Sequence, residues 1–545
     1  MTARPARHDG EVKATIRAGL SGVAAAAVAL GVAELVAVAT GARSAPLVAV
    51  GGVVVDHVPA PVKDFGIAVF GVHDKIALLV GTALLVTGYA YGLGVIGRRR
   101  WAVAVTGIAV FGAIGAAAAL TRTGVGPEAV LPSLLGAAVA VPVLRYLLRA
   151  AGRAEPVTTA SFPAATVGPD PAGAGPTVAG RDDSAQGRSA YLRRSRRRFV
   201  RDLGIVAGIA AAGGVAGRML TSRRAVTAAR QSVALPVTTE PAPVLPAAVQ
   251  VPGAVPYVTP NRDFYRIDTA LVTPQVDPAS WRLRIHGMVR NPITLTWADL
   301  LRRPMVARYV TLACVSNEVG GDLIGNALWL GTPIRELLDE ADPLPEADQV
   351  VQRSVDGWTC GTPTAVLRDG RDALLAIGMN GEPLPVSHGF PVRMVVPGLY
   401  GYVSACKWIT ELELTRFADF DAYWVPRGWS AQAPVKTQSR IDTPRDGASR
   451  RSGPVTVAGV AWAQHRGIAK VEVQVDDGPW TNAALAPTVS ADTWTQWSLS
   501  WPAEPGRHTL RVRATDLDGS TQTGARAEPA PDGATGWHEV AVNIE

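Results

Sequence analysis

Four apolar runs in the first 150 residues narrow the folds open to this chain more than anything else in its text. Ala18 to Thr40, Ile76 to Ile96, Trp101 to Leu120 and Ala129 to Leu144 are rich in Ala, Val, Gly and Leu, and each is near the roughly 20 residues that cross a hydrocarbon core. The fourth reaches full length when Arg145 snorkels and Tyr146 to Leu148 extend it. Only 18% of the 545 residues are charged, and that average conceals a split, because from about residue 255 the text carries the Trp, Asp and Pro of a soluble globular protein. Basic residues cluster before the first run (Arg4, Arg7, Lys13, Arg17), between the second and third (Arg98, Arg99, Arg100) and after the fourth (Arg145, Arg149, Arg153). The positive-inside rule puts these three places on the cytoplasmic side. Gly41 to Asp74, with short apolar pieces around Leu47 and Ile67, then lies outside as a loop or half-inserted hairpin. Glu34 in the first span is costly in lipid; it either marks a proton path or, more plainly, faces a bundle neighbour. His57 and His73 share the outside loop, so a bis-histidine haem between spans is not encoded there. The four spans occupy 1–150.

Residues 151–192 are Pro, Gly, Ala, Ser and Thr with little periodicity, the composition of a flexible cytoplasmic linker. Its end, Tyr191 to Arg201, is strongly basic and precedes the apolar run Leu203 to Gly217. Ser195-Arg196-Arg197-Arg198-Phe199-Val200 looks like a twin-arginine export signal; an ordinary arginine-rich stop-transfer flank gives the same text. Either way 193–222 forms a fifth span, and everything after it lies outside the cytoplasm. No small-residue cleavage site follows, so the signal is expected to stay as an anchor, with 223–255 as an extracytoplasmic linker.

From 256 to 425 the pattern is that of a mixed α+β domain. Short strands such as Trp281 to His286 and Tyr309 to Ala313 alternate with turns and one short helix, Pro333 to Glu340, whose Leu337 and Leu338 face inward. The turn Met288 to Pro292 separates two strand-like runs. No glycine-rich phosphate loop follows a strand, and neither His-Glu-x-x-His nor paired Cys-x-x-Cys occurs. Nothing points to nucleic acid. Three cysteines cannot make a disulfide framework or a four-thiolate cluster. Cys314 closes the strand-like Ala307 to Ala313 and opens the glycine-bearing turn Val315 to Gly321. A lone thiol there is a soft metal donor, a nucleophile or a buried small hydrophobe.

The surroundings of Cys314 add a pattern. Thr311 to Asn317, Trp329 to Pro333, Gly378 to Pro385, His388 to Gly398 and then Lys407-Trp408 resemble, in order, the sulfite oxidase family of molybdopterin enzymes. The resemblance runs from Asp263 to Trp408 and continues more weakly to the C-terminus, about half the chain. It implies that Cys314 is the metal ligand, giving the protein thiolate to molybdenum, with two more sulfurs from the pterin dithiolene. It also implies cofactor contacts at Phe264, Tyr265, Arg266, Asp356, His388 and Arg393, and a phosphate-binding stretch of Lys407 with the backbone of Ala405 and Cys406. A guanidinium and an ammonium closing on one phosphate is sound electrostatics. Ile267 and Asp268 depart from the family's usual Asn-His.

Other departures bear on substrate. Arginines that would hold a sulfite oxyanion are replaced after Asn317 by Glu318 and Val319, and a carboxylate at the mouth repels a dianion. Trp358 stands where the family has an active-site tyrosine, making it the second catalytic candidate and removing a phenolic donor. A neutral donor or acceptor such as a sulfoxide fits at least as well as sulfite. Cys360 and Cys406 are read as a disulfide pair or as two free thiols.

After Thr415 an aromatic connector (Phe417, Phe420, Tyr423, Trp424, Trp429) leads into alternating strands: Val455 to Trp462, Ile468 to Val475, Trp494 to Leu499 and His508 to Ala514, with Asp477-Gly478 and Asp518-Gly519 as turns. Residues 426–545 are therefore expected to form an all-β immunoglobulin-like sandwich, resembling the family's dimerisation domain. The combined expectation is a multi-pass cell-membrane protein whose extracytoplasmic molybdenum-molybdopterin centre transfers an oxygen atom and two electrons. No haem-attachment Cys-x-x-Cys-His is present, and no Fe-S cluster is expected, so electrons pass to a separate carrier. Homodimerisation through the sandwich is implied by the resemblance. The rival is a non-enzymatic anchored binding or adhesion protein that kept the fold without the cofactor.

Overall fold

The computed structural model describes residues 5–58, 74–122, 125–152, 182–223 and 226–545. The chain divides into two compact units, Met1–Arg224 and Ala225–Glu545. His73, the apolar piece around Ile67 and most of the 151–192 linker lie outside the described residues.

The first unit is helical: α1 (Pro5–Thr40), α2 (Pro46–His57), α3 (Asp74–Gly97), α4 (Trp101–Leu120), α5 (Leu131–Gly152) and α6 (Asp182–Arg223). Five stretches are long and apolar enough to cross a membrane: Glu11–Thr40, Ala77–Gly97, Trp101–Leu120, Pro127–Gly152 and Arg197–Gly217. These are the five runs expected from the sequence. At 12 residues α2 is too short to be a sixth. Helix α1 is the hub, packing on α3, α5 and α6. Apolar side chains gain nothing by leaving lipid, so close backbone approach holds the helices together. A Cβ on Gly94 of α3 would lie 2.1 Å from the Ala18 carbonyl oxygen, and one on Gly22 would lie 2.0 Å from the Ala90 oxygen. Gly136 of α5 approaches the Ala29 oxygen at 2.6 Å in the same sense. Glu34 is half-buried, and a Cβ on Gly217 of α6 would lie 3.0 Å from the Glu34 backbone, so α6 packs closely on α1 at this level.

The second unit opens with α7 (Thr227–Ser232) and an extended segment that packs tightly on the rest of the unit. Arg230 donates from Nε to the Leu384 oxygen at 2.7 Å, and Val249 and Val251 are buried. The segment expected as a linker is thus a strap on the domain. Two five-stranded sheets build the mixed α+β part. One runs β2 (Ile293–Thr296), β1 (Arg282–Gly287), β10 (Ile409–Thr415), β5 (Gln349–Ser354), β6 (Thr359–Pro363), with only the β1–β10 pair parallel. The other runs β3 (Val306–Ala313), β4 (Ile324–Pro333), β7 (Leu374–Met379), β8 (Glu382–Pro383), with β9 (Arg393–Val395) also paired to β7. Helix α8 (Trp297–Leu301) starts at a capping box, Thr296 accepting from the Asp299 N–H while the Asp299 carboxylate accepts from the Thr296 N–H. Helix α9 (Ile334–Ala341) buries Leu337 and Leu338 completely and stops at Asp342, which adopts φ +54°.

The C-terminal part is a two-sheet sandwich. β11 (Gln438–Thr443), β13 (Gly453–Trp462), β17 (Thr495–Ala503) and β16 (Ala484–Leu485) face β12 (Ala448–Arg450), β19 (His538–Ile544), β18 (Gly506–Asp516), β14 (Ile468–Val475) and β15 (Trp480–Asn482). Val457, Val473, Trp497, Val512 and Val542 fill the space between them. Asp477-Gly478 turns β14 into β15 as the sequence suggests.

Candidate active site

Cys314 leaves the end of β3, the strand whose Val310, Leu312 and Ala313 are buried. Its N–H donates to the Leu323 oxygen at 2.9 Å, and its carbonyl accepts from Asn317 N–H at 3.1 Å. The Asn317 side chain accepts from Leu323 N–H at 2.8 Å. These bonds fold residues 314–323 into a tight loop over the strand end, with Cys314 7% exposed. Burial pushes the Cys314 thiol up in pKa, while hydrogen bonds from Ser316 and the Val315 backbone act the other way. A thiol so placed keeps its proton until a cation arrives, and its thiolate is already supplied with donors.

The thiol opens into a hollow lined by Phe264, Tyr265, Ile267, Asp268, Thr269, Cys314, Ser354, Asp356, Trp358, His388, Arg393, Gly401, Tyr402, Ala405, Lys407, Trp408 and Trp424. Of the residues singled out in the sequence, Cys314, Trp358, Phe264, Tyr265, Asp356, His388, Arg393, Ala405 and Lys407 are here. Two stand off the wall. Arg266 is at the rim, bonded from Nε to Asp268 Oδ2 at 3.0 Å and from Nη2 to Thr273 Oγ1 at 2.9 Å. Cys406 is fully buried behind it, its N–H donated to Gln352 Oε1 at 3.2 Å. The three cysteines are free, which resolves the choice at Cys360 and Cys406 in favour of thiols.

One end of the hollow is built for an anion. Arg393, on β9 and 5% exposed, donates to the His388 oxygen at 3.1 Å and the Met394 oxygen at 3.3 Å, with its guanidinium 5.0 Å above the Trp329 ring. Among the described residues it pairs with no carboxylate, and burial pulls its pKa down to about 10. Lys407 Nζ donates to Asp268 Oδ2 at 2.8 Å; burial takes it down to about 8 against the opposing pull of Asp268. His388 is lowered to about 4, first by burial and then by Arg393 and Lys407. At neutral pH it is a neutral imidazole whose Nε2–H donates to the Asn261 oxygen at 3.2 Å. Arg266, Arg393 and Lys407 against the single carboxylate of Asp268 leave two positive charges, the complement of a phosphate dianion.

Much of the remaining lining is aromatic and includes a turn. Gly357 takes φ +87° between β5 and β6, which aims Asp356 and Trp358 into the hollow. Asp356 Oδ1 accepts from the Trp358 N–H at 3.2 Å. Sequence reasoning passed over Tyr402, Trp408, Trp424 and the inward role of Asp268. The aromatic run Phe417 to Trp429 was a signal for Trp424, whereas Asp268 registered only as a departure from a pattern.

Residues 270–424 match the oxidoreductase molybdopterin binding domain, and residues 438–512 match the bacterial Ig domain. Mitochondrial sulfite oxidase of Homo sapiens is 30% identical over 309 residues, 48% of this chain and 56% of that protein, so the chain spans little more than half the length of that relative. Sulfite oxidase of Gallus gallus is 30% identical over 314 residues, 48% of this chain and 67% of its own length. The uncharacterized oxidoreductase YuiH of Bacillus subtilis is 31% identical over 178 residues, 32% of this chain and 85% of its own. With the Gallus gallus sulfite oxidase matched over two thirds of its length and the molybdopterin-binding domain matched over most of the hollow's lining, the chain belongs to the sulfite oxidase family of molybdopterin-dependent oxidoreductases.

Proposed function

We propose that this oxidoreductase is anchored in the cell membrane with its catalytic domain outside the cytoplasm, and that it reduces a small neutral oxide with two electrons taken from a separate electron carrier, the oxygen leaving as water. The observation that carries the reading is the convergence of Cys314, Asp356, His388, Arg393 and Lys407, drawn from separate segments, on one hollow. Molybdenum-molybdopterin, when bound, supplies a metal that changes by two electrons and exchanges a terminal oxygen. Cys314 gives the protein thiolate; Arg266, His388, Arg393 and Lys407 take the phosphate; and Phe264, Asp356 and Ala405 line the pterin, with Cys406 supporting the wall from behind. His388, neutral with Nε2–H committed to Asn261, offers only its Nδ1 lone pair to a ligand.

Substrate choice is set by where charge sits. The cations gather at the phosphate end, while Trp358, Tyr402 and Trp424 wall the remainder. Such a mouth disfavours a sulfite dianion and accommodates a sulfoxide, whose reduction takes two protons and two electrons to a sulfide and water.

The extracytoplasmic location is supported by five spans whose basic flanks fall at alternate connections and so share one side, and export by the Ser195 to Val200 pattern ahead of the apolar part of α6. Pairing of two copies through the sandwich rests on the resemblance. Metal and pterin analysis of the purified protein, with turnover of dimethyl sulfoxide and of sulfite against artificial donors and acceptors, tests the reading. Roughly one molybdenum per chain with faster sulfoxide turnover supports it. A folded, metal-free protein contradicts it.

A further inference from the structure

We propose that Tyr265 is a substrate-binding catalytic residue, its phenolic hydroxyl holding the oxide oxygen of the substrate beside Cys314. The inference rests on the proposed oxygen-transfer function and gives that site a phenolic donor, since Trp358 presents an indole where a phenol is expected.

Three observations converge on this hydroxyl. The first is position: a Cβ on Gly401 would lie 3.8 Å from Tyr265 Oη and 3.7 Å from the oxygen of Ala313, the residue before Cys314. The Tyr265 phenol also feels the charges of both the Cys314 sulfur and Arg393. The second is availability. Tyr402, the other phenol on the wall, donates its hydroxyl to the Ser430 oxygen at 2.6 Å, and Tyr257 donates to Thr493 Oγ1 at 2.9 Å. Among the described residues Tyr265 Oη has no hydrogen-bond partner, yet it faces the hollow. The third is rigidity: the ring stacks on Phe264 at 5.2 Å and 20°, and Phe264 is wedged edge-on against Trp329 and His388, each at 5.7 Å.

Burial raises the Tyr265 pKa, with Cys314 adding to the rise and Arg393 opposing it. The phenol therefore stays protonated through neutral pH and keeps a proton to donate. The oxygen of a sulfoxide carries partial negative charge that grows as its bond to sulfur lengthens, and a fixed donor in a water-poor site stabilises the later state more than the earlier one. No proton leaves Tyr265; it donates a hydrogen bond, and the two protons of the overall reduction come from solvent.

The test compares full-length wild type with Tyr265→Phe, which keeps the ring and its stacking. Molybdenum and pterin content, melting temperature, dimethyl sulfoxide reduction by reduced benzyl viologen, and dimethyl sulfone binding followed by tryptophan fluorescence are measured on both. Unchanged cofactor content and melting are expected, with kcat down about 100-fold and sulfone affinity down about fivefold. Full cofactor content with kcat and sulfone affinity both intact would overturn this inference alone. Loss of the cofactor in the variant would overturn it too, by making Tyr265 a cofactor-holding residue. Absence of molybdenum from the wild type would overturn the oxygen-transfer reading and this inference with it.

Discussion

Arg393 carries an uncompensated charge in a dry place, and that makes it informative by itself. A guanidinium bonded only to carbonyls stands against the usual rule that buried charges are paired. Its presence is understandable if an anion completes it. In cofactor-free protein Arg393→Met is therefore expected to leave stability within about 1 kcal/mol of wild type, because the lost hydrogen bonds offset the relieved burial. The same substitution is expected to abolish cofactor retention, read as pterin fluorescence after gel filtration. A large stability loss with the cofactor retained would mean that Arg393 is a structural residue. His388 gives a second test through pH. Its folded pKa of about 4 lies below the ordinary 6.5, so between those values the unfolded chain holds the extra proton. Its contribution is complete above pH 6.5 and lost as pH falls towards 4, about 3 kcal/mol in all. His388→Gln should flatten the cofactor-free melting temperature across that window; an unchanged slope would place the titration elsewhere. Cys314, His388, Arg393 and Lys407 were legible because each sits in a long ordered pattern. The hydroxyl of Tyr265 and the carboxylate of Asp268 were not, because availability and pairing are properties of the folded surroundings.

Among the elements, the loop 314–323 depends on the sandwich. Arg440 of β11 donates from Nη1 to the Gly321 oxygen at 2.7 Å and pairs with Asp442 at 2.7 Å, both side chains 8% exposed. His538 of β19 lies so close to Gly320 that a Cβ there would be 2.1 Å from its ring. Gly320 also takes φ +79°, a conformation L side chains rarely adopt. Arg440→Ala leaves Asp442 without its cation and frees the loop. A loss of about 3 kcal/mol is expected, with molybdenum released faster on dilution; retained metal at reduced stability would restrict Arg440 to a structural role. In the helical unit, Gly94→Leu is expected to collapse the α1–α3 contact, since the Ala18 oxygen already occupies the place of its Cβ. Lower thermal stability in detergent with normal membrane insertion is the expected reading. Strand positions in the sandwich were legible from period-two alternation. The strap 226–255 was not, because its Pro-rich text carries no period and its order comes from surfaces contributed by distant strands.

Across the full chain, the spans were legible because apolar runs of this length have few other uses, and the direction proposed for each rests on its basic flanks. The orientation makes a prediction in intact cells that is helped by the burial of all three native thiols. A cysteine at Gly478→Cys, on the β14–β15 turn, should react with a membrane-impermeant maleimide. One at Arg98→Cys should react only after permeabilisation. The reverse pattern would invert the topology and place the catalytic domain in the cytoplasm.

Everything proposed for the hollow depends on a bond between the Cys314 sulfur and a pterin-held molybdenum, and molybdenum-edge X-ray absorption on the purified full-length protein reads that bond without an intermediary. Three sulfur neighbours are expected in the wild type and two in Cys314→Ser. Three sulfurs in both proteins, or no molybdenum in a folded wild type, would refute it.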